Sequence, residues 1–432
     1  MEFEYIPFAR PHVGKEEEEA VLRVLRSAWL TTGTEALAFE KEFAAFLDGP
    51  ETKPSDSVSD SVSAPEPPPL QALAVNSATS GLHLALEACG IGPGDPVLLP
   101  SYTFTSTAEA ARYLGAEPVF VDVIPGSFHM DPAALERTLA RLEAGLPAYP
   151  QRGGFGPRGK ATAVLPVHYG GLPCDMERIM KIARHRRLRV IEDAAHSFPS
   201  RIPGIPAESG TSPTDTFAGT LGDVGVFSFY ATKTLTTGEG GMVVSRDQTL
   251  AKRISIMRSH GIDRTVWNRY TDKKASWYYE VVEAGFKYNI PDILAALGRV
   301  QLKKALFLLK KREVIARRYD EAFGGDGRFF LPPTGTGDAR HLYPLRLNPE
   351  EISLTREDFI AKLQEQGIGV SVHFIPLHIM PYYRRRYALE AEDFPESVKS
   401  FKRVISIPIW PGMEENHVER VITAVKKTAD MG

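Results

Sequence analysis

The chain has 432 residues, of which 43% are hydrophobic and 24% charged, and its formal net charge is −3. This length predicts about two or three domains with a large buried core and excludes a small disulfide-stapled protein. The composition favours a globular protein over a disordered chain. No apolar run reaches the roughly 18 residues that a membrane-spanning helix needs, and the N-terminus lacks the apolar stretch of a signal peptide. Cys89 and Cys174 are its only cysteines. We therefore expect a cytoplasmic protein that binds neither membrane nor nucleic acid.

The first 70 residues combine two predicted helices with a polar insertion. Residues 14–48 place apolar side chains at helical spacing on both sides of a turn at 29–33, which predicts a helix–turn–helix segment. Residues 49–69 are rich in Ser, Pro and acidic residues and offer almost nothing to bury, so we predict a surface loop insertion. The stretches 145–160 and 203–219 carry Gly, Pro, Ser and Thr without a period and are also predicted to be loop insertions.

Short apolar runs then alternate with helical segments from about residue 70 to residue 245. Helices are expected over 80–88 and 105–114, and apolar strands precede each of them. Strands that alternate with helices favour a mostly parallel sheet with right-handed crossovers. The sequence therefore predicts an α/β fold for this part of the chain.

The pattern changes to mainly helical from about residue 252. A long helical segment is predicted over 301–323, and strand-like patterns occupy 341–347 and 371–377. This change of composition indicates a second unit with its own core. We predict a large domain over 1–251 and a smaller α+β domain over 252–432.

Unusually polar residues follow the predicted strands, where ligands bind in open α/β sheets. The stretch 76–81, which includes Ala78 and Thr79, offers hydroxyl groups and backbone N–H groups at the start of a helix and suits a phosphate. An ordinary helix N-cap explains the same residues. Asp193 follows the strand LRVIE and suits a cationic ring nitrogen, although a cap or a salt bridge explains it as well.

Lys233 lies in a Gly-rich and hydroxyl-rich turn between the apolar strands VGVFSF and GMVVS. These neighbours predict an enclosed lysine, and partial burial is what a Schiff-base lysine needs to lower its pKa. A structural lysine is the alternative. Phe104 follows another strand and offers a flat apolar face on which a ring could stack, although a buried core aromatic is the alternative. A phosphate cradle, a carboxylate for the ring nitrogen and an enclosed lysine together are the three groups that pyridoxal 5′-phosphate (PLP) requires.

The motifs at these positions resemble a known family. The sequence contains VNSATSGLHLAL, LLPSYTFTSTAEA, VIEDAAHS, GDVGVFSFYATKTLTTGEGGMVV, GFKYNIPD and VHFIPLH. It resembles the DegT/DnrJ/EryC1/StrS family of PLP-dependent sugar aminotransferases over nearly its whole length apart from the insertions. The resemblance implies the fold of fold-type-I PLP enzymes, with a mostly parallel central sheet of the seven-stranded type and a smaller C-terminal α+β domain.

The resemblance also implies roles for residues of this sequence. Lys233 is expected to form the Schiff base with PLP and to move the proton between substrate and cofactor. Asp193 is expected to keep the ring nitrogen protonated, His196 to lie beside the phenolic oxygen, and Phe104 to stack on the ring. The expected phosphate-binding residues are Ala78, Thr79 and Ser228.

Members of this family are homodimers with composite active sites. The segment GFKYNIPD, with Lys287 and Asn289, resembles the one that reaches the partner's phosphate, and which of the two makes that contact stays open. Segments that resemble sugar-nucleotide contacts contain Thr31, Thr32, His373 and His378. His373 and His378 are five residues apart, but no third metal ligand lies nearby in the sequence, so we expect no metal.

The sequence hypothesis is a PLP-dependent aminotransferase that moves an amino group from L-glutamate to a keto group of a nucleotide-linked sugar in polysaccharide or glycan biosynthesis. A PLP-dependent sugar dehydratase of the same superfamily is one alternative, although the resemblance places a histidine there at the position of Lys233. A second alternative is a binding or sensor protein that holds PLP or a sugar nucleotide without turnover. A third is a structural partner that keeps the fold but has an inactive site.

Overall fold

The computed structural model of the chain describes residues 4–49, 68–149, 157, 159–204, 215–263 and 278–431. The first helices and strands are α1 (Lys15–Ser27), α2 (Thr34–Asp48), β1 (Gln71–Val75), α3 (Ala78–Ala88), β2 (Pro96–Pro100), α4 (Thr105–Tyr113), β3 (Glu117–Val121), α5 (Pro132–Glu143), β4 (Ala163–Val164), α6 (Met176–Arg186), β5 (Arg189–Asp193), β6 (Arg201–Ile202) and β7 (Thr216–Phe217). The later ones are β8 (Val224–Ser228), β9 (Gly241–Ser245), α7 (Gln248–Met257), α8 (Asp292–Lys303), α9 (Ala305–Phe323), β10 (Phe329–Phe330), β11 (Tyr343–Leu347), α10 (Arg356–Glu365), α11 (Pro381–Tyr387), α12 (Pro395–Arg403), β12 (Val404–Ile407) and α13 (Glu415–Ala429).

The central sheet has seven strands in the order β1-β9-β8-β5-β4-β2-β3. The pairings from β8 through to β3 are parallel, and β9 runs antiparallel to both of its neighbours. The predicted mostly parallel α/β fold is therefore confirmed. Since the carboxyl ends of the parallel strands share one edge, the polar residues that follow them converge there.

Both faces of this sheet are buried, as the side chains of β8 show. Alternate residues of this strand point to opposite faces. Val226 contributes to the core on the side of α3, which packs on β5, β8 and β9. Phe227 and Phe229 point to the other side, where their rings lie 5.2 Å from Phe43 and 5.3 Å from Phe39 of α2. The two-sided burial explains the nearly continuous apolar sequence of this strand.

Helix α3 begins at Ala78, two residues before the predicted start. The Ser77 side chain accepts a hydrogen bond from the backbone N–H of Ser80, so Ser77 is the N-cap. Gly81 brings the helix close to the sheet, since a Cβ atom there would lie 2.7 Å from a methyl carbon of Val226. The sequence SATSG therefore fixes both the start of α3 and its distance from the sheet.

A second, antiparallel sheet of β10, β11 and β12 forms in the C-terminal part of the chain. Helices α9, α10 and α13 cover it, and their core includes Tyr319, Tyr343, Phe359 and Val421. Helix α7 spans the predicted boundary at residue 251 and packs on α3 and β1. The division into domains 1–251 and 252–432 stays a prediction.

Two predicted elements differ from the structure. Residues 371–377 do not form a strand: Ser371 alone pairs with Ser406 of β12, and the carbonyl of His373 accepts the hydroxyl groups of Tyr102 and Tyr169 instead of a ladder hydrogen bond. The long helix predicted over 301–323 is interrupted at Lys304, which separates α8 from α9. The Lys304 ammonium contacts both carboxylate oxygens of Glu17, which anchors this break on α1.

Most of the predicted insertions lie outside the described residues, namely 50–67, 150–156, 158 and 205–214. The described ends of the insertion at 203–219 are not all loop, since β7 pairs antiparallel with β6. None of the helices within the described ranges is long and apolar enough to cross a membrane.

Gly225 in the middle of β8 permits a close approach of the backbone. A Cβ atom on Gly225 would lie 1.8 Å from the carbonyl oxygen of Gly219, so the 219–222 loop or the strand would have to move. We expect Gly225→Ala to lower the free energy of unfolding by about 3 kcal/mol, the upper part of the usual range for overpacking. Chemical denaturation measures this, with Gly92→Ala as the control because a Cβ there meets nothing within 4 Å. An equal effect of both substitutions would contradict the prediction.

Candidate active site

A cavity of about 440 Å³ opens at the carboxyl edge of the central sheet. The loops that follow β1, β2, β5 and β8 line one side of it, and His341, His373 and Phe374 from the C-terminal part line the other. The residues predicted for the site that line this cavity are Ala78, Thr79, Phe104, Asp193, His196, Ser228, Lys233 and His373.

Lys233 lies in the turn between β8 and β9. The backbone of this turn is held by hydrogen bonds from the Lys233 N–H to the Tyr230 carbonyl, 2.9 Å, and from the Thr236 hydroxyl to the Phe229 carbonyl, 3.0 Å. Burial lowers the pKa of the Lys233 amine to about 7, and the nearby Asp193 carboxylate opposes this shift. An amine with this pKa is neutral in a large fraction of molecules near neutral pH, so it can act as a nucleophile or a base.

Asp193 ends β5 and presents its carboxylate to the same cavity. Burial raises its pKa, while hydrogen bonds from the Thr107 hydroxyl, 2.8 Å, and the Ala195 N–H, 3.2 Å, oppose the rise. The Lys233 charge also favours the ionised carboxylate. A buried carboxylate held by two donors is suited to pair with a cationic nitrogen of a bound ring.

Glu192, one residue earlier, points to the other side of the strand and was missed in the sequence analysis. It accepts backbone N–H groups of Gly219, Leu221 and Gly222 at 2.6–2.9 Å and lies 2.9 Å from the His168 imidazole. Burial raises its pKa, but these hydrogen bonds outweigh burial and the net shift is downward. Glu192 thereby holds the 219–222 loop against β5, which supports the position of Asp193.

The start of α3 forms an anion cradle on the wall of the cavity. The first N–H groups of an α-helix have no partner within the helix and carry partial positive charge. Ala78 and Thr79 occupy these positions, and Ser228 adds a hydroxyl from the end of β8. Gly241 permits this arrangement, since a Cβ atom there would lie 2.8 Å from the Ala78 nitrogen. The cradle matches the phosphate that the sequence predicts.

Three histidines surround the opposite side of the cavity. The His196 and His341 rings lie 4.6 Å apart, and the His373 Nδ1 atom lies 2.9 Å from the Ser406 hydroxyl. Burial, and then the Lys233 charge, lower the pKa of His373 to about 3 and the pKa of His196 well below its usual value. The His196 Nδ1 atom accepts the Gly170 N–H, which leaves the ring proton on Nε2 as a donor.

His341 is a cavity residue that sequence reasoning did not find. It is 4% exposed, and its Nδ1 atom has no hydrogen-bond partner within the described residues. In the sequence, His341 begins the strand-like segment HLYPLRL. That local pattern does not indicate that His341 contacts His196, which lies 145 positions earlier in the chain. Burial lowers the pKa of His341, and so does the repulsion between its protonated ring and a protonated His196 or Lys233, so His341 is a third neutral imidazole.

The remaining predicted residues do not line this cavity. Thr32, Lys287 and Asn289 meet in a separate polar cluster, where the Asn289 amide donates to the Thr32 hydroxyl at 2.6 Å and the Lys287 ammonium donates to the Asn289 carbonyl oxygen at 2.5 Å. Thr31 lies next to this cluster in the chain. His378 is fully buried against the Phe394 ring, 4.6 Å away, and the structure does not bring it to the cavity.

The cavity fits PLP on its own chemistry. It combines an anion cradle, a buried carboxylate and a lysine with a lowered pKa, and Phe104 adds an aromatic face that is 55% exposed. Within the described ranges, no three His, Cys, Asp or Glu side chains are grouped so that they could hold a metal ion. The donor set of the cavity therefore suits an organic phosphate with a cationic ring better than any metal.

Comparisons with known proteins agree with this chemistry. The model of the DegT/DnrJ/EryC1/StrS aminotransferase family matches residues 70–426. The chain is 39% identical to the spore coat polysaccharide biosynthesis protein SpsC of Bacillus subtilis over 426 residues, which cover 98% of this chain and 96% of SpsC.

Solved structures show the same relationship. The putative sugar aminotransferase Spr1654 of Streptococcus pneumoniae is known in a PLP-form and a PMP-form, each with a TM-score of 0.80, 27% identity and coverage of 99% of this chain and at least 98% of the other. Helicobacter pylori PseC, an aminotransferase involved in the biosynthesis of pseudoaminic acid, gives a TM-score of 0.79 at 25% identity, with both chains fully covered. The chain belongs to the DegT/DnrJ/EryC1/StrS aminotransferase family and is a PLP-dependent aminotransferase.

Proposed function

We propose that this enzyme transfers an amino group from L-glutamate to a keto group of a nucleotide-linked sugar for the biosynthesis of a polysaccharide or glycan. The observation that carries the reaction is the convergence of Lys233, Asp193 and the cradle at the start of α3 on one cavity. The sugar substrate is proposed from the relatives, since SpsC is named for polysaccharide biosynthesis and Spr1654 is described as a putative sugar aminotransferase.

Each cavity residue has a distinct task in this proposal. PLP supplies an electron sink that stabilises negative charge at the carbon from which a proton is removed. The Lys233 amine accepts that proton from the substrate carbon and donates a proton to the cofactor. It can do both because its lowered pKa lies near neutral pH. The Asp193 carboxylate holds the ring nitrogen in its cationic form. Ala78, Thr79 and Ser228 bind the phosphate, and the neutral His196 donates its Nε2 proton to the phenolic oxygen.

The amine pKa predicts how fast the PLP-free enzyme captures its cofactor at different pH values. A lysine with pKa about 7 is half neutral at pH 7, whereas an ordinary lysine has roughly one neutral amine in 3,000. Because the neutral amine attacks, the rate of appearance of the visible band of lysine-bound PLP should rise up to about pH 8, one unit above the pKa, and then level off. Stopped-flow absorbance measures this against a simple alkyl amine in the same buffers. A rate that keeps rising to pH 10 would contradict the lowered pKa.

Product analysis tests the proposed substrates. We would incubate the holoenzyme with ¹⁵N-labelled L-glutamate and a panel of 3-keto and 4-keto sugars linked to uridine or thymidine diphosphate. Mass spectrometry should find a labelled amino sugar nucleotide and an equal amount of 2-oxoglutarate. Conversion of glutamate without amination of any panel member would overturn the nucleotide-sugar assignment. A dehydrated sugar without nitrogen would favour the dehydratase alternative, and absence of turnover would favour the sensor.

The polar cluster outside the cavity supports a homodimer with shared sites. Lys287 is exposed and Asn289 is half-buried, and the preceding segment exposes large apolar side chains, among them Val281 at 64% and Val282 at 54%. Exposed apolar residues close together are typical of an interface. We propose that this surface meets a second copy, and that Lys287 or Asn289 reaches the phosphate bound in the partner's cavity.

Mixing two inactive variants tests whether sites are shared. A Lys233→Ala chain and an Asn289→Ala chain form mixed dimers in which one site has both native residues. Random mixing should therefore restore about one quarter of the parent activity, since half of the dimers are mixed and each has one working site. Refolding or slow subunit exchange, followed by an activity assay, measures the recovery. If Asn289→Ala alone is inactive and mixing restores nothing, the two residues act in the same subunit.

A further inference from the structure

Another concave surface lies where residues of the C-terminal part of the chain meet the loop after β3. Gly126, Phe330, Arg346, Lys399, Ser400 and Arg403 line a groove of about 300 Å³, which we call the basic groove. It shares no lining residue with the catalytic cavity. The proposed function uses none of these residues, so their arrangement needs a separate explanation.

Arg346 is the central residue of the basic groove. It comes from β11, and its guanidinium lies 5.9 Å from the centre of the Phe128 ring and 5.8 Å from that of Phe330. One terminal nitrogen donates to the Leu331 carbonyl at 3.2 Å, while the buried Nε–H has no hydrogen-bond partner within the described residues. The two rings hold the guanidinium in place while part of its donor capacity is unused.

The charges around Arg346 are of the same sign. Within the part of the chain that the structure describes, no carboxylate lines the groove, and Lys399 and Arg403 of α12 bring two further cations to it. Burial, followed by the Arg403 charge, lowers the pKa of Arg346. Cations in the last turn of α12 complement the helix dipole, which accounts for Arg403. The dipole does not account for Arg346, which belongs to a different element and faces the same groove.

We propose that the basic groove binds an anion of the phosphate or diphosphate class. Two guanidinium groups offer planar sets of N–H donors that match phosphate oxygens, and the Lys399 ammonium adds a point charge at the rim. A ligand with two or more negative charges would relieve the repulsion among the three cations. Because these cations are spread around the groove, inorganic pyrophosphate should bind more tightly than inorganic phosphate.

Isothermal titration of the PLP-loaded enzyme with inorganic pyrophosphate, in metal-free buffer of constant ionic strength, tests this site. PLP fills the phosphate cradle, so that cradle does not compete. We expect the double variant Lys399→Gln/Arg403→Gln to weaken binding at least about tenfold, since two charge-assisted contacts are removed. Lys181→Gln is the matched control, because Lys181 is an exposed lysine of α6 that does not line the basic groove. This substitution should change pyrophosphate binding less than about twofold.

Independent readouts separate this proposal from the proposed function. Neither Lys399 nor Arg403 lines the catalytic cavity, so the double variant, once shown to be folded, should keep its aminotransferase activity. If the double variant does not fold, Lys399→Glu at an exposed position provides the same test and should also weaken binding. Absence of pyrophosphate binding at millimolar concentration, or equal binding by the parent and the Lys399 variants, would overturn the basic groove as an anion site.

Discussion

Replacement of Lys233 by alanine should reduce the aminotransferase activity at least about 10,000-fold. Proton transfer by a positioned side chain contributes about 100- to 10,000-fold to a rate, and Lys233→Ala also removes the covalent link to the cofactor. The substitution only enlarges a cavity that already exists, so the fold should persist. Single-turnover and steady-state assays measure the loss, and circular dichroism measures the fold.

The matched control for this variant is Lys181→Ala, which removes an exposed lysine from α6. It should leave activity within twofold of the parent. Lys233→Ala should still bind PLP through the cradle but should lack the visible band of lysine-bound PLP. A Lys233→Ala enzyme that keeps its fold and more than about one hundredth of its activity would contradict the assigned proton-transfer role.

Replacement of Asp193 by asparagine should reduce kcat about 100- to 1,000-fold, the effect of removing one preorganised electrostatic partner. Asparagine has nearly the same shape, and its oxygen can still accept the Ala195 N–H. The Thr107 hydroxyl, which also lies 2.9 Å from the Thr103 hydroxyl, can turn to accept from the new amide. The loss therefore reports the missing negative charge rather than a local rearrangement.

Asp175→Asn is the control for the charge change, because Asp175 is the N-cap of α6 and asparagine is an equally good N-cap. Asp193→Asn should retain the visible band of lysine-bound PLP, since Lys233 is unchanged. It should also show a slower deprotonation of L-glutamate in stopped-flow experiments. Activity of Asp193→Asn equal to that of Asp175→Asn would contradict the pairing of Asp193 with the ring nitrogen.

Local patterns predicted the part of the site that comes from strand ends. Parallel strands bring their carboxyl ends to one edge of the sheet, so the sequence predicts that Asp193, Lys233 and the start of α3 lie close together. The hydroxyl and glycine residues around Lys233 indicated an enclosed amine, and burial does lower its pKa. These inferences need only the spacing of apolar residues along the sequence and the topology of the sheet.

Contacts across distant parts of the chain were not predictable in this way. His341 reaches the cavity through the packing of the second sheet, and the role of Glu192 depends on a loop that follows 27 residues later. Residues 371–377 have a strand-like pattern, but side-chain hydroxyl groups occupy the His373 carbonyl, so tertiary hydrogen bonds override the local preference. The break at Lys304 likewise depends on Glu17, which lies far away in sequence.

The visible absorption spectrum of the purified enzyme with PLP, recorded before and after addition of L-glutamate, tests the central claim most directly. We predict a band of lysine-bound PLP that disappears when L-glutamate is added, together with stoichiometric release of 2-oxoglutarate. Addition of 2-oxoglutarate in excess should restore the band, because the half-reaction is reversible. A band that forms and does not respond to L-glutamate would contradict the proposed donor, and a protein that forms no band with PLP would contradict the assignment of Lys233.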